Sequence, residues 1–159
     1  MVKIAIGGSL RFFREMDDIS KKLRKNNIEY FMANPSLRDL SDLRRLSEEF
    51  NDLSWEDKVE RESKIVENFL SKIKKTDILY IVNPDGYVGL HAMGDMFYAW
   101  ADRKEVYTWQ KVDMSWVKKK KDYYEPDYIR LQEYLHVIVK GQMTPDELVV
   151  FVKKKEANM

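Results

Sequence analysis

The sequence predicts a three-layer α/β/α domain built on an open parallel sheet. Three observations predict it. Four short, nearly uninterrupted apolar runs, at residues 2–6, 28–33, 78–82 and 106–109, read as buried strands. Between them, apolar residues recur at helical spacing. The resulting β-α-β-α-β-α-β order needs a crossover after each strand, which gives parallel pairing with helices on both faces. At 159 residues without a linker, repeat or low-complexity tract, the chain reads as one Rossmann-like, flavodoxin-like domain spanning 1–159. Its sheet core covers about residues 2–109, and a helical, aromatic-rich tail covers 110–159.

Each element has a local cause. The run VKIAI at 2–6 stops at Gly7-Gly8, and Ser9 is placed to cap a helix. Phe12, Phe13, Met16, Ile19 and Leu23 mark that helix, which ends at Asn26-Asn27. The second strand, IEYFMA, is broken by Asn34-Pro35. Ser36 with Asp39, and Ser54 with Asp57, mark helix starts with an acid in the first turn. The second of these helices carries Val59, Val66, Phe69, Leu70 and Ile73 on one face. ILYIV at 78–82 is the most apolar strand and runs into the loop signal Asn83-Pro84-Asp85-Gly86. A helix follows from Gly89 to about Arg103. In the tail, Pro126 opens a helix through Ile138. Thr144-Pro145-Asp146-Glu147 combines a cap, a first-position proline and a capping-box glutamate ahead of Leu148, Val149, Phe151 and Val152. Lys118–Lys121 reads as a solvated basic run.

Composition narrows the chemistry. Lys and Arg total 28 against 27 Asp and Glu, so the net charge of +1 does not suit a polyanion binder, and no nucleic-acid polymer is expected as a partner. The chain has no cysteine and only two histidines, His91 and His136. Thiol catalysis, disulfides and Cys-ligated zinc are excluded, and no metal site or cofactor is expected. No apolar run approaches the roughly 18 residues of a membrane span, and the N-terminus lacks a signal-peptide pattern. A cytoplasmic location is the expectation.

Open parallel sheets bind ligands beyond the carboxyl ends of their strands. Three segments converge there: residues 7–14, Asn34-Pro35, and residues 83–95. In the first, Gly7 and Gly8 allow close backbone approach, a helix N-terminus offers N–H groups, Ser9 adds a hydroxyl, and Arg11 suits bidentate contact with phosphate or carboxylate. The third glycine of a dinucleotide fingerprint is absent. In the last segment, Asp95 sits in the first turns of a helix at the sheet's carboxyl edge, and Asp85 is a second acid on the same loop. Two acids at one cleft suit glycosyl transfer, one as nucleophile and one as general acid. The bland alternatives are a turn aspartate before glycine for Asp85 and a helix-start acid for Asp95. His91 either touches a ligand from the loop or caps the helix, and the loop role is the preferred reading.

Three stretches carry a family resemblance. Residues 4–14 (IAIGGSLRFFR), 76–82 (TDILYIV) and 89–107 (GLHAMGDMFYAWADRKEVY) resemble the nucleoside 2-deoxyribosyltransferase superfamily, which includes the deoxynucleoside 5′-monophosphate N-glycosidases. The resemblance covers residues 2–109. It implies 5′-phosphate contacts for Ser9 and Arg11, with Arg14 beside them, and a nucleophile's role for Asp95, with Ala99 and Lys104 keeping the frame of that segment. It also implies a homodimer or higher homo-oligomer whose subunits complete each other's sites. Gly7, Gly8, Asn34, Tyr87, Gly89 and His91 complete the expected substrate-binding set.

Departures accompany the match. The nucleophile is aspartate where the family has glutamate. Phe69 occupies the place of a second acid, Ala5 that of a strand tyrosine, and Gly89 that of a polar residue six before the nucleophile. The implied function is cleavage or transfer of the N-glycosidic bond of a small-molecule nucleoside or nucleotide. The alternative is a catalytically degraded nucleotide-binding regulator of the same fold. A third reading assigns the tail aromatics Trp109, Trp116, Tyr123, Tyr124, Tyr128 and Tyr134 to an interface.

Overall fold

The structure, a computed structural model, describes residues 1–32, 48–49, 51–115 and 125–159, with only the helical backbone for 125–129. β1 (Lys3–Gly8) leads through a short 3-10 turn (Leu10–Phe12) into α1 (Phe13–Lys25). β2 (Glu29–Met32), α2 (Trp55–Lys74), β3 (Ile78–Val82) and α3 (Leu90–Ala101) follow. The chain continues with β4 (Glu105–Thr108), α4 (Glu125–Ile138), β5 (Val139–Gln142) and α5 (Pro145–Ala157). The strands form one sheet in the order β2-β1-β3-β4-β5, and every neighbouring pair is parallel. This is the flavodoxin-like order, in which the chain reverses its direction of travel between β1 and β3.

Alternation along the strands divides the core into two faces. Ile4, Ile6, Ile78, Tyr80 and Val82 point to one side and meet Phe13, Met16, Ile19 and Leu23 of α1 and Leu148 and Val152 of α5. Ala5, Leu79, Ile81 and Val106 point to the other and meet Phe69 and Ile73 of α2, Met93 and Met96 of α3, and Leu135 of α4. The predicted three layers are therefore present. Tyr80 is fully buried, and its hydroxyl donates to the Met143 carbonyl at 2.7 Å. Burial pushes that phenol's pKa above its ordinary value.

Two of the predicted helix starts, at Ser54 and Thr144, have local structural support. Ser54 accepts the Asp57 N–H at 3.1 Å. At α5 both halves of the capping box form, Thr144 N–H to Glu147 Oε2 at 2.7 Å and Glu147 N–H to Thr144 Oγ1 at 3.3 Å. The Asp77 carboxylate accepts the Lys3 N–H at 2.9 Å and ties the start of β3 to that of β1.

Four expectations change. The sheet has a fifth strand, β5, where four were expected. Its sequence Val-Lys-Gly-Gln exposes every second residue at a sheet edge, so it lacks a strand's apolar run. Gly7 and Gly8 belong to β1 and pair with Ile81 and Val82, instead of following the strand. Ser9 caps the 3-10 turn, and α1 starts only at Phe13. β4 ends at Thr108, one residue before Trp109. Asn34-Pro35, Ser36, Asp39, Trp116, Lys118–Lys121, Tyr123 and Tyr124 lie outside the described residues, as does the side chain of Tyr128.

Candidate active site

The β1 and β3 ends meet in a close backbone approach. A Cβ on Gly8, whose φ is +152°, would lie 2.8 Å from the Val82 carbonyl oxygen, so any larger residue forces the strand ends apart. Beyond β3, the loop is clamped to the segment after β4. The fully buried Asn83 donates to the Gln110 carbonyl and accepts its N–H, both at 3.0 Å. Gly86 turns with φ +82°, and its carbonyl accepts the Asp113 N–H at 2.9 Å. Asp85 Oδ1 accepts the Tyr87 N–H at 2.9 Å, which fixes the turn that presents Tyr87.

Arg11 is committed within this loop pair. Its guanidinium forms an ion pair with Asp85. It also lies 4.6 Å from the Phe12 ring centre and 4.2 Å from that of Tyr87. Phe12 and Tyr87 meet edge to face at 6.4 Å. Arg14, on α1, has its guanidinium 5.9 Å from the Phe13 ring centre.

A cavity of about 540 Å³ opens between α2 and α3 at this carboxyl edge. Of the residues expected at a site, it brings together Gly8, Ser9, Tyr87, Gly89, His91 and Asp95. Gly7, Arg11, Arg14 and Asp85 are not in its lining. The phosphate-directed arginines and the second acid of the sequence reading therefore stand outside this cavity, because Arg11 and Asp85 satisfy each other and Arg14 follows α1. Asn34 lies outside the described residues.

Asp95 is the sixth residue of α3, beyond the first turn where a helix dipole acts strongly. Its carboxyl has no hydrogen-bond or ion-pair partner among the described residues, and burial pushes its pKa up to about 7. Desolvation, instead of the dipole, sets its character. Gly94 beside it has open space where a Cβ would stand.

Sequence reasoning missed Glu62 and Tyr98, both of which line the cavity. Glu62 Oε2 stands 3.7 Å from His91 Nε2 at the rim, where His91 is exposed. A signal for Glu62 was present. It is the acid in an apolar stripe of α2 formed by Ile65, Val66, Phe69 and Leu70, all of which line the cavity. Among the described residues, no group of three or more His, Asp or Glu side chains could hold a metal ion. Among them, too, no helix is long and apolar enough to cross a membrane.

No protein-family profile matches the sequence, and no curated protein matches it. Solved structures do resemble it. A conserved protein from Enterococcus faecalis V583 superposes with a TM-score of 0.52 at 12% identity, covering 98% of this chain and 99% of its own. A 2-deoxyribosyltransferase from Bacillus psychrosaccharolyticus gives a TM-score of 0.43 at 16% identity, covering 91% of this chain and 98% of its own. At these identities the first likeness establishes a shared fold over nearly the whole of both chains.

Proposed function

We propose that the chain cleaves or transfers the N-glycosidic bond of a small-molecule nucleoside or nucleotide, with Asp95 as the nucleophile. The observation that carries this is a carboxyl without a partner among the described residues, half-buried in a largely apolar cavity at the carboxyl edge of the sheet. Such a group is costly to keep for stability alone and suited to chemistry near neutral pH. In its ionised form Asp95 attacks C1′ as the bond to the base breaks. The transition state is oxocarbenium-like, and the product is a glycosyl-enzyme ester that water or a second base resolves.

Ser9, Gly8 and Gly89 form the sugar side of the site, and Tyr87 and Tyr98 supply aromatic surface for a base. Asp85 takes the proton-donor role only by releasing Arg11, and Arg11 reaches a phosphate only by the same release. The test is chromatography for free base after incubation with a panel of nucleosides, deoxynucleosides and their monophosphates. Turnover that Asp95→Asn abolishes supports the proposal. Absence of released base across the panel, with ligands recovered intact but stabilising the fold, favours the regulatory binding module instead. That second reading draws on Phe69, a buried core residue where a catalytic acid was expected.

Self-association is part of the proposal. Trp100 of α3 and Tyr134 and Val137 of α4 are exposed on helices that pack together, which supports a homo-oligomeric face.

A further inference from the structure

The charge pattern of the cavity goes beyond what glycosyl transfer requires. Glu62 and Asp95 bring two carboxyl groups to it, His91 stands 3.7 Å from Glu62 at the rim, and no lysine or arginine lines it among the described residues. Its lining includes the aromatic residues Phe69 and Tyr98, and Tyr87, whose ring already carries the Arg11 guanidinium. Carboxylates and aromatic faces attract a cation, and carboxylates repel a phosphate. Arg11, the residue of the β1 turn suited to phosphate, is instead paired with Asp85 and stacked on Phe12 and Tyr87 outside the lining. We propose that the cavity selects an unphosphorylated N-glycoside whose base carries a positive charge, such as a pyridinium or an N-alkylated purinium. The Arg11–Asp85 pair is then the specificity device that withholds the phosphate-binding cation. This inference rests on the glycosyl-transfer reading above.

The chemistry is consistent with the missing acid. When the C1′–N bond of a cationic glycoside breaks, its electron pair cancels the positive charge on the base nitrogen. The base leaves neutral and needs no proton. Asp95 forms the new bond to C1′. Water then adds its oxygen to C1′, the ester bond breaks, and the carboxylate is regenerated as the water's proton passes to solvent. A site working on such a substrate tolerates Phe69 where the family resemblance implied a second acid, and an apolar wall there favours the departing neutral ring.

The experiment compares three ligands of nearly one shape by calorimetry. They are nicotinamide riboside, its neutral 1,4-dihydro form, and its 5′-monophosphate. We expect the cationic riboside to bind at least tenfold tighter than the dihydro form and tighter than the monophosphate. Glu62→Gln should cut the first ratio several-fold. Asp85→Asn, which frees Arg11, should improve monophosphate binding relative to the riboside. Equal or tighter binding of the dihydro form or the monophosphate overturns the inference, as does failure of all three to bind. Base release is read separately. If inosine is cleaved while the cation shows no binding preference, this inference fails and glycosyl transfer stands. If the cation binds preferentially and no nucleoside is cleaved, the charge selectivity stands and the catalytic reading fails.

Discussion

The two sides of Tyr87 use charge in opposite ways. On one side Arg11 and Asp85 neutralise each other, each about half exposed to water. On the other, Asp95 is half-buried without a partner among the described residues, and burial holds much of it protonated near neutral pH. A solvent-exposed ion pair contributes about 0–1 kcal/mol and costs little to keep. A desolvated, unpaired carboxylate works against the fold whenever it ionises. The difference separates a residue pair that shapes the loops from a residue that the proposed chemistry, and not stability, accounts for.

The largest expected effect comes from erasing the unpaired side. Asp95→Asn should reduce base release by about 10³-fold or more, because the proposed nucleophile is lost while its shape is kept. The check is single-turnover chromatography on whichever panel substrate the wild type cleaves. Retention of the wild-type rate would assign the chemistry to another group.

The same carboxyl should reveal itself in pH dependence. Its pKa is about 7 in the folded chain against the ordinary 3.8. Between those values the folded state holds a proton that the unfolded state releases. Its contribution to stability is therefore fully present below about pH 4 and is lost as pH rises through about 7. Asn lacks this titration. The stability of Asp95→Asn relative to wild type should grow between pH 4 and 8 by on the order of 2–4 kcal/mol, measured by urea unfolding at each pH. Turnover, which on the proposed mechanism needs the ionised form, should rise about tenfold per pH unit and level off above about 7 for a neutral substrate. A pH-independent stability difference would mean that Asp95 is better solvated than its surroundings imply.

These sides were unequally legible in the sequence. The strand-and-helix rhythm predicted the core because burial on both faces leaves runs such as ILYIV without polar interruptions. β5 escaped because an edge strand with alternating exposure carries almost no apolar signal. Asp95 was legible as a residue but not in its character, since its raised pKa comes from burial in the folded chain, beside a cavity that α2, a helix distant in sequence, helps to line. Arg11 was legible as a cation near a helix start, but its engagement by Asp85 spans 74 residues and depends on the Gly86 turn. Glu62 was marked by its helical spacing to Ile65, Val66, Phe69 and Leu70, but only the fold showed that this stripe faces the cavity.

Both sides hang on one backbone contact, and breaking it should affect them together. Gly8→Ala places a Cβ 2.8 Å from the Val82 carbonyl, in a backbone conformation that side chains rarely adopt. A loss of about 1–3 kcal/mol is expected from strain of this kind, measured by urea unfolding. Near-wild-type stability would show that β1 and β3 can separate at their ends without cost.

The smallest expected effect lies on the paired side. Removing both charges with Arg11→Met and Asp85→Asn together should change stability by less than about 1 kcal/mol, since each group returns to water as the pair is dissolved. The single variants separate two contributions. Arg11→Met keeps an apolar stem on Phe12 and Tyr87 and leaves Asp85 to hold its turn through the Tyr87 N–H. Asp85→Asn retains an acceptor for that N–H and so should keep the turn as well. If the double variant costs several kcal/mol, the pair is a structural clasp. A cost within the surface range instead leaves ligand discrimination as the reason to hold Arg11 on Tyr87.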